Sequence, residues 1–213
     1  MNLHKATGIR HLCDSAYVLS FERNNVAFVP GQHLNVGLPG EEERPYSLYN
    51  GIDDEQLEIL VKEVLNGNIS TKLKLIQPGD LIAVDKPHGD FTIEDERKKL
   101  LPFWFISPGT GISPFHSFVK SYPDLNYQII HGIRFGHESY ERQIYSAGNY
   151  LSCTSRDNKG DFNGRVTEYI KTVEADLTAY YYVCGNYGMI DQVYDLLISK
   201  GIRKNQIKTE GYF

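Results

Sequence analysis

A change of pattern near residue 100 constrains the fold of this 213-residue chain more than any single motif. Before it, short runs of β-type residues alternate with Pro-Gly and Asn-Gly turns, which is typical of a small antiparallel barrel. After it, strand-like and helix-like segments alternate, which predicts a parallel sheet covered by helices. The sequence therefore predicts two domains, an antiparallel β-barrel over residues 1–98 and an α/β parallel-sheet domain over residues 99–213, with the charged stretch 94–99 as the linker.

The individual elements follow from local pattern and from Gly and Pro positions. In the first domain we predict strands at 17–21, 26–29, 57–64 and 81–84 and one short helix at 70–76. In the second we predict strands at 103–107, 127–133, 150–154 and 180–184, with helices from 114 onward and at 138–145, 164–173 and 189–199.

Composition excludes several classes of function. The net charge is -5 without a basic run, so we expect no nucleic-acid partner. No apolar stretch approaches the roughly 20 residues of a membrane span, and residues 1–10 lack the apolar core of a signal peptide, so a cytoplasmic protein is expected. Cys13, Cys153 and Cys184 are too widely spaced for a metal or iron–sulfur ligand set, so no metal is predicted.

The segment Arg44-Pro45-Tyr46-Ser47 carries the first functional chemistry. A guanidinium can bind a pyrophosphate through paired donors, and Tyr46 shares its face of a strand because side chains alternate. A plain strand with an exposed arginine would look the same. The turn Gly67-Asn68-Ile69-Ser70 adds backbone N–H groups that can face an anion, with Lys62 and Val64 on the strand between. Together the two segments favour a flavin with its phosphates.

Two glycine turns in the second half suit another phosphate-bearing ligand. Gly109-Thr110-Gly111-Ile112-Ser113-Pro114 follows a predicted strand and opens a helix, but it lacks the third glycine of the standard dinucleotide fingerprint. Cys184-Gly185 repeats the pattern after the fourth strand. Since ligands of open parallel sheets bind at the carboxyl ends of strands, we expect both turns to line one crevice. A free buried cysteine is also common as a small apolar residue.

The motifs, taken in order, resemble those of the ferredoxin–NADP reductase family, closest to the bacterial ferredoxin/flavodoxin reductases. They are Phe28-x-Pro30-Gly31-Gln32, Arg44-Pro45-Tyr46-Ser47, Gly67-x-x-Ser70, His88-Gly89-Asp90-Phe91, Gly109 to Pro114, Cys184-Gly-x-x-x-Met189 and Glu210-Gly211-Tyr212-Phe213. The resemblance covers about residues 15–213. The combination of these motifs is far more specific than any one of them alone.

The resemblance implies an FAD-binding barrel, an NADP-binding α/β domain and residue roles within them. Arg44 would bind the FAD phosphates, Tyr46 would stack on the isoalloxazine, and Ser47 would hydrogen-bond near its N5. Cys184 and Glu210 would flank the meeting point of nicotinamide and flavin. The predicted catalytic residues are Ser47, Cys184, Glu210 and Tyr212. The predicted cofactor-binding residues are Arg44, Pro45, Tyr46, Ser47, Lys62, Val64, Gly67, Asn68, Ile69, Ser70, Thr71, Gly109, Thr110, Gly111, Pro114, Arg134, Ser155, Arg156, Arg165, Cys184, Gly185, Met189, Tyr212 and Phe213.

Charge after the third strand of the second half indicates the coenzyme. A 2′-phosphate needs cations, and Ser155-Arg156 is followed by Lys159 and Arg165, which resembles the Ser-Arg…Arg site of NADPH-using members. The alternative is a solvated loop whose arginines pair with Asp157 and Asp161. At the chain end, an aromatic ring would cover the flavin and move before reaction, and either Tyr212 or Phe213 could be that ring.

The expected function is transfer of electrons between NADPH, as hydride, and a one-electron carrier such as ferredoxin or flavodoxin. Two alternatives remain open. The chain could be the NADH-dependent reductase component of an oxygenase system, or a non-catalytic nucleotide-binding subunit that relays electrons.

Overall fold

The computed structural model describes residues 2–64, 67–93 and 100–212, and the predicted linker 94–99 and Phe213 lie outside them. The chain packs as two units. The barrel unit comprises the described residues of Met1–Thr92 together with Ser113–Pro123. The sheet unit comprises those of Ile93–Ile112 and Asp124–Phe213.

Six antiparallel strands form the barrel unit, in the spatial order β4-β3-β6-β1-β2-β5. They are β1 (Asn2–Cys13), β2 (Ala16–Glu22), β3 (His33–Gly37), β4 (Glu43–Ser47), β5 (Gln56–Lys62) and β6 (Leu81–Val84). The chain leaving β4 turns onto β5 through a Leu48–Ile59 bridge, and the Tyr49 N–H donates to the Glu58 carbonyl at 2.8 Å. This contact joins the two edges of the sheet, so the predicted antiparallel barrel is confirmed.

Apolar side chains of the strands fill the barrel interior. Leu19, Phe21, Leu34, Leu57 and Ile59 are each fully buried in one cluster. The short helix α1 (Asn68–Leu73) adds Ile69 and Leu73 to the same cluster. It begins two residues before the predicted helix and ends three residues earlier.

The predicted strand at 26–29 is wrong, because a turn and an arginine hold this segment as a loop. Asn24 and Asn25 have φ values of 49° and 60°, which a strand cannot accommodate. The Arg23 guanidinium donates from Nε to the Val26 carbonyl at 2.9 Å and from Nη1 to the Ile52 carbonyl at 2.7 Å.

Helix α2 (Ser113–Ser121) packs in the barrel unit, which the sequence did not indicate. Its Ser113 hydroxyl donates to the Ser47 carbonyl at 3.1 Å, and its Ser117 hydroxyl donates to the Asn50 carbonyl at 2.8 Å. One turn later, the Ile52 N–H donates to Ser121 Oγ at 2.9 Å. Three serines at spacing i, i+4, i+8 thus bind the chain that leaves β4.

Six parallel strands form the sheet unit, in the order β10-β9-β8-β7-β11-β12. They are β7 (Phe103–Pro108), β8 (Tyr127–Ile133), β9 (Tyr150–Thr154), β10 (Phe162–Asn163), β11 (Tyr180–Asn186) and β12 (Ile207–Tyr212). Two helices, α3 (Val166–Thr172) and α4 (Tyr187–Ser199), pack on a core that includes Ile106, Ile130, Val183 and Val193. The predicted α/β parallel sheet is confirmed.

Strand order reverses between β7 and β11. The chain runs outward from β7 to β8, β9 and β10, and then returns to place β11 and β12 on the other side of β7. Ligands of open α/β sheets bind at such a reversal, beyond the carboxyl ends of the strands. The loops that follow β7 and β11 are therefore the expected ligand site of this unit.

The predicted helix at 138–145 is wrong. Short 3₁₀ turns occupy Gly136–Glu138 and Arg142–Ile144, separated by Glu141 with a φ of 46°. Glu138 is buried rather than solvated, because its carboxylate accepts the N–H groups of Arg134 and Phe135 at 2.8 and 3.3 Å. Among the described residues, no helix is long and apolar enough to span a membrane.

Candidate functional site

Strand β4 carries the predicted flavin motif on alternating faces. The Arg44 guanidinium is 57% exposed and forms an ion pair with Glu42 at 2.6 Å. Tyr46 shares its face and packs, half-buried, against the barrel core. Pro45 and the buried Ser47 point to the other face. Burial raises the pKa of Tyr46 to about 12, with the Arg44 charge opposing it, so the phenol stays protonated.

The predicted phosphate turn is held together by hydrogen bonds of its own. The Val64 N–H donates to Ser70 Oγ at 3.0 Å, the Gly67 N–H to the Val64 carbonyl at 2.7 Å, and Thr71 Oγ1 to the Gly67 carbonyl at 2.5 Å. Gly67 precedes α1 without a side-chain cap, and the first turn of the helix, which starts at Asn68, carries no acidic residue. The turn therefore presents backbone donors without a competing carboxylate.

The turn and strand β4 lie at one end of the barrel. Lys72 of α1 forms an ion pair with Glu41, which lies in the β3–β4 loop. The Tyr17 hydroxyl donates to the Ser70 carbonyl at 2.5 Å. A guanidinium, backbone N–H groups and a half-buried ring within one end of a barrel form a donor set that fits the pyrophosphate and ring of FAD. Lys62, at the end of β5, is exposed.

The two glycine turns of the sheet unit lie against each other. Gly109–Ile112 is a 3₁₀ turn directly after β7. A Cβ on Gly111 would lie 2.6 Å from the Cys184 carbonyl oxygen, and a Cβ on Gly185 would lie 2.5 Å from the Pro108 ring. Only glycine permits these approaches. A Cβ on Gly109, by contrast, would meet nothing within 4 Å, so this side of the turn is open.

The remaining motif residues divide between the two units. Thr110 is half-buried in the turn, whereas Pro114 is buried on α2 and thus in the barrel unit. The Asn186 side chain caps α4 by accepting the Met189 N–H at 3.0 Å, and Met189 is buried.

Cys184 lies on β11, next to β12, which carries Glu210 and Tyr212. Cys184 on β11 pairs in register with Glu210 on β12, and Asn186 pairs with Tyr212. Burial raises the pKa of the Cys184 thiol well above its ordinary value; the charge of Glu210 adds to this and a hydrogen bond with Tyr212 opposes it. The thiol is therefore neutral.

Arginines follow three adjacent strands at the carboxyl edge of the sheet. Arg134 follows β8, Arg156 follows β9 and Arg165 follows β10. The strand ends continue to pair, since the Arg156 N–H donates to the Arg134 carbonyl at 2.9 Å and the Ser155 N–H to the Ile133 carbonyl at 3.1 Å. We call Arg134, Arg156 and Arg165 the arginine row.

The two carboxylates near Arg156 and Arg165 form their contacts with other residues. Asp157 accepts the Gly136 N–H at 3.0 Å, and Asp161 pairs with Arg142 at 2.9 Å. Arg156 and Arg165 are exposed and form no ion pair within residues 2–64, 67–93 and 100–212. Arg134 is paired with Glu138 at 2.7 Å. The alternative loop, with its arginines bound to Asp157 and Asp161, is not what the structure shows.

Two buried polar residues next to the Gly109–Ile112 turn were not predicted from the sequence. His131 is fully buried and reaches the Gly109 carbonyl. Ser107 Oγ, buried at the end of β7, has no hydrogen-bond partner in the part of the chain that is described. A histidine inside the apolar run Tyr-Gln-Ile-Ile-His-Gly-Ile was the available signal for the first, and no signal existed for the second.

Known proteins resemble this chain in sequence and in fold. Residues 8–93 match the family model described as the oxidoreductase FAD-binding domain. The flavodoxin/ferredoxin–NADP reductase of Escherichia coli is 26% identical over 87% of this chain and 85% of its own. The toluate 1,2-dioxygenase electron transfer component of Pseudomonas putida is 26% identical over 92% of this chain, which spans only 63% of that relative.

The fold match is complete. A ferredoxin NADP⁺ reductase from Neisseria gonorrhoeae, solved with bound FAD and NADP, superposes with a TM-score of 0.87 at 19% identity, over 100% of this chain and 98% of that one. The resemblance expected from the motifs is thus confirmed. The chain is similar in sequence to flavodoxin/ferredoxin–NADP reductases, matches an FAD-binding oxidoreductase domain at residues 8–93, and has the two-domain fold of ferredoxin–NADP reductases.

Proposed function

We propose that the protein is an NADPH-dependent FAD enzyme that takes up hydride and passes electrons singly to a carrier of the ferredoxin or flavodoxin type. The observation that carries the proposal is the pair Arg156 and Arg165 of the arginine row, because both are exposed, form no ion pair with the described residues, and lie near Ser155 in a chain that matches an FAD-binding domain. Relatives named flavodoxin/ferredoxin–NADP reductase support it.

In the barrel, one set of residues binds the FAD phosphates and another set contacts the flavin ring. Arg44 and the turn from Gly67 to Thr71 bind the FAD phosphates. Tyr46 covers the ring system with a neutral phenol, and Ser47 donates a hydrogen bond to the ring edge. Bound FAD supplies the exchange between two-electron hydride chemistry and one-electron transfer. The proposed domains remain residues 1–98 for FAD and 99–213 for NADP.

In the sheet unit, the chain binds and orients the coenzyme. The turns at Gly109 and Gly185 allow close backbone approach, and Ser155, Arg156 and Arg165 bind the 2′-phosphate, with Arg134 on the adenylate side. The neutral Cys184 thiol, Glu210 and Tyr212 contact the nicotinamide. Tyr212 or Phe213 acts as the aromatic gate. The expected cytoplasmic location stays a prediction.

The oxygenase-type alternative has its own support. Reductase components of propane 2-monooxygenase, such as that of Rhodococcus jostii at 29% identity over 84% of this chain, are also relatives. That function would use NADH and a monooxygenase or dioxygenase partner, and the coenzyme preference separates the two proposals.

The decisive experiment is an anaerobic titration of the purified protein followed by flavin absorbance. We expect about one FAD per chain, bleaching by NADPH, and then reduction of added ferredoxin or flavodoxin. FMN should bind much more weakly, because the turn at Gly67 to Ser70 would lose the second phosphate. A colourless protein that takes up no FAD would refute the proposal, and bleaching by NADH alone would favour the oxygenase-type alternative.

A further inference from the structure

A fully buried histidine lies beneath the first glycine turn of the sheet unit. His131, on β8, has no exposed surface. Its Nε2 lies 2.8 Å from the carbonyl oxygen of Gly109, and its Nδ1 lies 2.7 Å from the hydroxyl of Tyr150 on β9. In this way a polar chain of three groups crosses from β9 to the turn, next to the buried Ser107 and Ser152, which pair in register with His131.

The protons of this chain follow from its partners. A carbonyl oxygen only accepts, so Nε2 of His131 must carry the hydrogen and donate it to Gly109. Nδ1 then has a lone pair and accepts from the Tyr150 hydroxyl. Burial lowers the pKa of His131 to about 4, although the Gly109 contact and the charge of Glu138 act in the opposite direction. Burial also raises the pKa of Tyr150. Both groups are neutral at physiological pH, with one arrangement of protons.

The contact determines where the next N–H points. Within a trans peptide unit, the C=O of one residue and the N–H of the next point in opposite directions. Because the Gly109 C=O points at His131, the N–H of Thr110 points away from it. Gly109 has a φ of 49°, and its Cβ position is open to 4 Å. The peptide between Gly109 and Thr110 is the part of the turn that side-chain packing alone does not fix.

We propose that His131, held in its tautomer by Tyr150, is a positioning residue that fixes the Gly109–Thr110 peptide and aims the Thr110 N–H at the pyrophosphate of the bound coenzyme. The inference rests on the proposed function, since it assigns the turn to the coenzyme's pyrophosphate. The turn is thus assigned to the pyrophosphate, whereas Arg156 and Arg165 of the arginine row are assigned to the 2′-phosphate.

The test compares two probes on FAD-loaded protein: NADP⁺, which carries the pyrophosphate, and 2′-AMP, which carries only the 2′-phosphate half. His131→Phe keeps a ring and removes the donor. We expect the Kd for NADP⁺ and the KM for NADPH to rise about tenfold, the effect of one lost hydrogen bond to a charged group. The Kd for 2′-AMP should not change. Tyr150→Phe should act in the same direction with a smaller effect.

Two further variants separate positioning from packing. His131→Gln retains an N–H donor near the position of Nε2, and we expect it to recover much of the NADP⁺ affinity. Tyr145→Phe removes a hydroxyl from the ring stacked on Tyr150 at 5.2 Å and should leave both probes unaffected. If NADP⁺ and 2′-AMP weaken equally, or if NADP⁺ binding is unchanged in both His131→Phe and Tyr150→Phe, the proposal is wrong.

Failure of the proposed function gives a different result. If the wild-type protein binds NAD⁺ rather than NADP⁺, the coenzyme assignment is wrong, while the role of His131 is still decided by the same variants with NAD⁺ and adenosine, which lacks both phosphates of the pyrophosphate. Loss of NAD⁺ affinity with retained adenosine affinity would then support the positioning role, and equal loss would refute it.

Discussion

At the scale of single residues, charge compensation distinguishes two exposed arginines of the sheet unit, Arg142 and Arg156. Arg142 is about as exposed as many surface arginines, yet Asp161 pairs with it at 2.9 Å. Arg156 is exposed and forms no ion pair with any residue that the structure describes. An uncompensated guanidinium retains its full capacity for paired hydrogen bonds to a phosphate.

Replacing Arg156 by Ala tests the coenzyme preference. We expect the KM for NADPH to rise by an amount equivalent to about 1.5–3 kcal/mol, the usual value of a charged hydrogen bond, with little change for NADH. Steady-state kinetics with both coenzymes measure this. Arg142→Ala is the matched control and should affect neither KM. Equal losses with NADPH and NADH would show that Arg156 does not bind the 2′-phosphate.

Glu138 gives a prediction about pH. Burial would raise its pKa, but hydrogen bonds from Arg134 and from the Phe135 N–H outweigh this and lower it. A carboxyl whose folded pKa is lowered stabilises the fold above its unfolded pKa, near 4.3, and loses that contribution as pH falls through the folded value. Glu138→Gln should therefore lower the free energy of unfolding at pH 7 by about 1–3 kcal/mol.

Urea denaturation across pH measures this effect. The difference between Glu138→Gln and wild type should shrink as pH falls below about 4, because the carboxyl is then protonated in the unfolded chain, and it should vanish as pH falls through the lower folded pKa. A difference that is the same at pH 7 and at pH 3 would mean that the charge of Glu138 contributes nothing.

At the scale of elements, helix α2 shows how a few hydroxyls determine where a helix packs. Three serines one turn apart bind backbone groups of the chain that leaves β4. The His116 ring also stacks on Tyr49, with centroids 3.8 Å apart and planes at 8°. Burial lowers the pKa of His116 to about 3, so the ring packs as an uncharged surface.

Removing the Ser117 hydroxyl tests how much these contacts of α2 contribute to stability. Ser117 is fully buried, and Ser117→Ala leaves the Asn50 carbonyl without that partner, which should cost about 1–3 kcal/mol of unfolding free energy. Thermal or urea unfolding gives the value. Ser199→Ala on α4 is the control, because Ser199 makes an exposed bond to the Leu196 carbonyl and should cost much less. Equal costs would show that the buried hydrogen bond of Ser117 adds no more stability than an exposed one.

Elements could be predicted from sequence where apolar runs are continuous, and not where long-range partners decide. β6 has the predicted bounds because all four of its residues are apolar, and β8 has them because Ile129, Ile130 and Ile133 favour a strand. β1 was missed, since it carries Lys5, Arg10 and His11 and owes its form to pairing with β2 and β6. β12, with the sequence Ile-Lys-Thr-Glu-Gly-Tyr, was missed for the same reason: its pairing with β11 defines it.

The candidate site shows the same division. Motif residues such as Arg44 and Gly109 could be identified because the motif is local. The residues that hold the motifs could not, since Ser113 contacts Ser47 from 66 positions away and His131 contacts Gly109 from 22 positions away. Contacts of this kind depend on the tertiary arrangement, including the order of the strands, which cannot be determined from a single sequence.

At the scale of the whole molecule, the last described residues, up to Tyr212, belong to the sheet. Tyr212 lies in β12 and pairs with Asn186 at the start of α4. The backbone of Tyr212 is held by the sheet, while its side chain remains half-exposed. A ring held in this way can pack against a flat ligand in a defined position.

Deleting Tyr212 and Phe213 tests the gating role. If an aromatic ring competes with nicotinamide for the flavin, its removal should strengthen NADP⁺ binding by about 0.5–1.5 kcal/mol, slow NADP⁺ release and lower turnover with a one-electron acceptor. Flavin difference spectra and stopped-flow release measure these changes. An unchanged flavin spectrum together with unchanged NADP⁺ affinity would show that the terminus packs elsewhere.

The placement of α2 also limits how this protein can be recombined with its relatives. The Phe115 and Phe118 rings of α2 lie 6.0 and 6.4 Å from Phe91, and a Cβ on Gly31 would lie 2.8 Å from the Phe118 ring. A fragment cut at residue 98, or a chimera joined there, would leave Phe91 and the Ser47 and Asn50 carbonyls uncovered. A transplantable flavin module must therefore be discontinuous: it needs residues 113–123 grafted along with the barrel, even though the intervening segment belongs to the other unit.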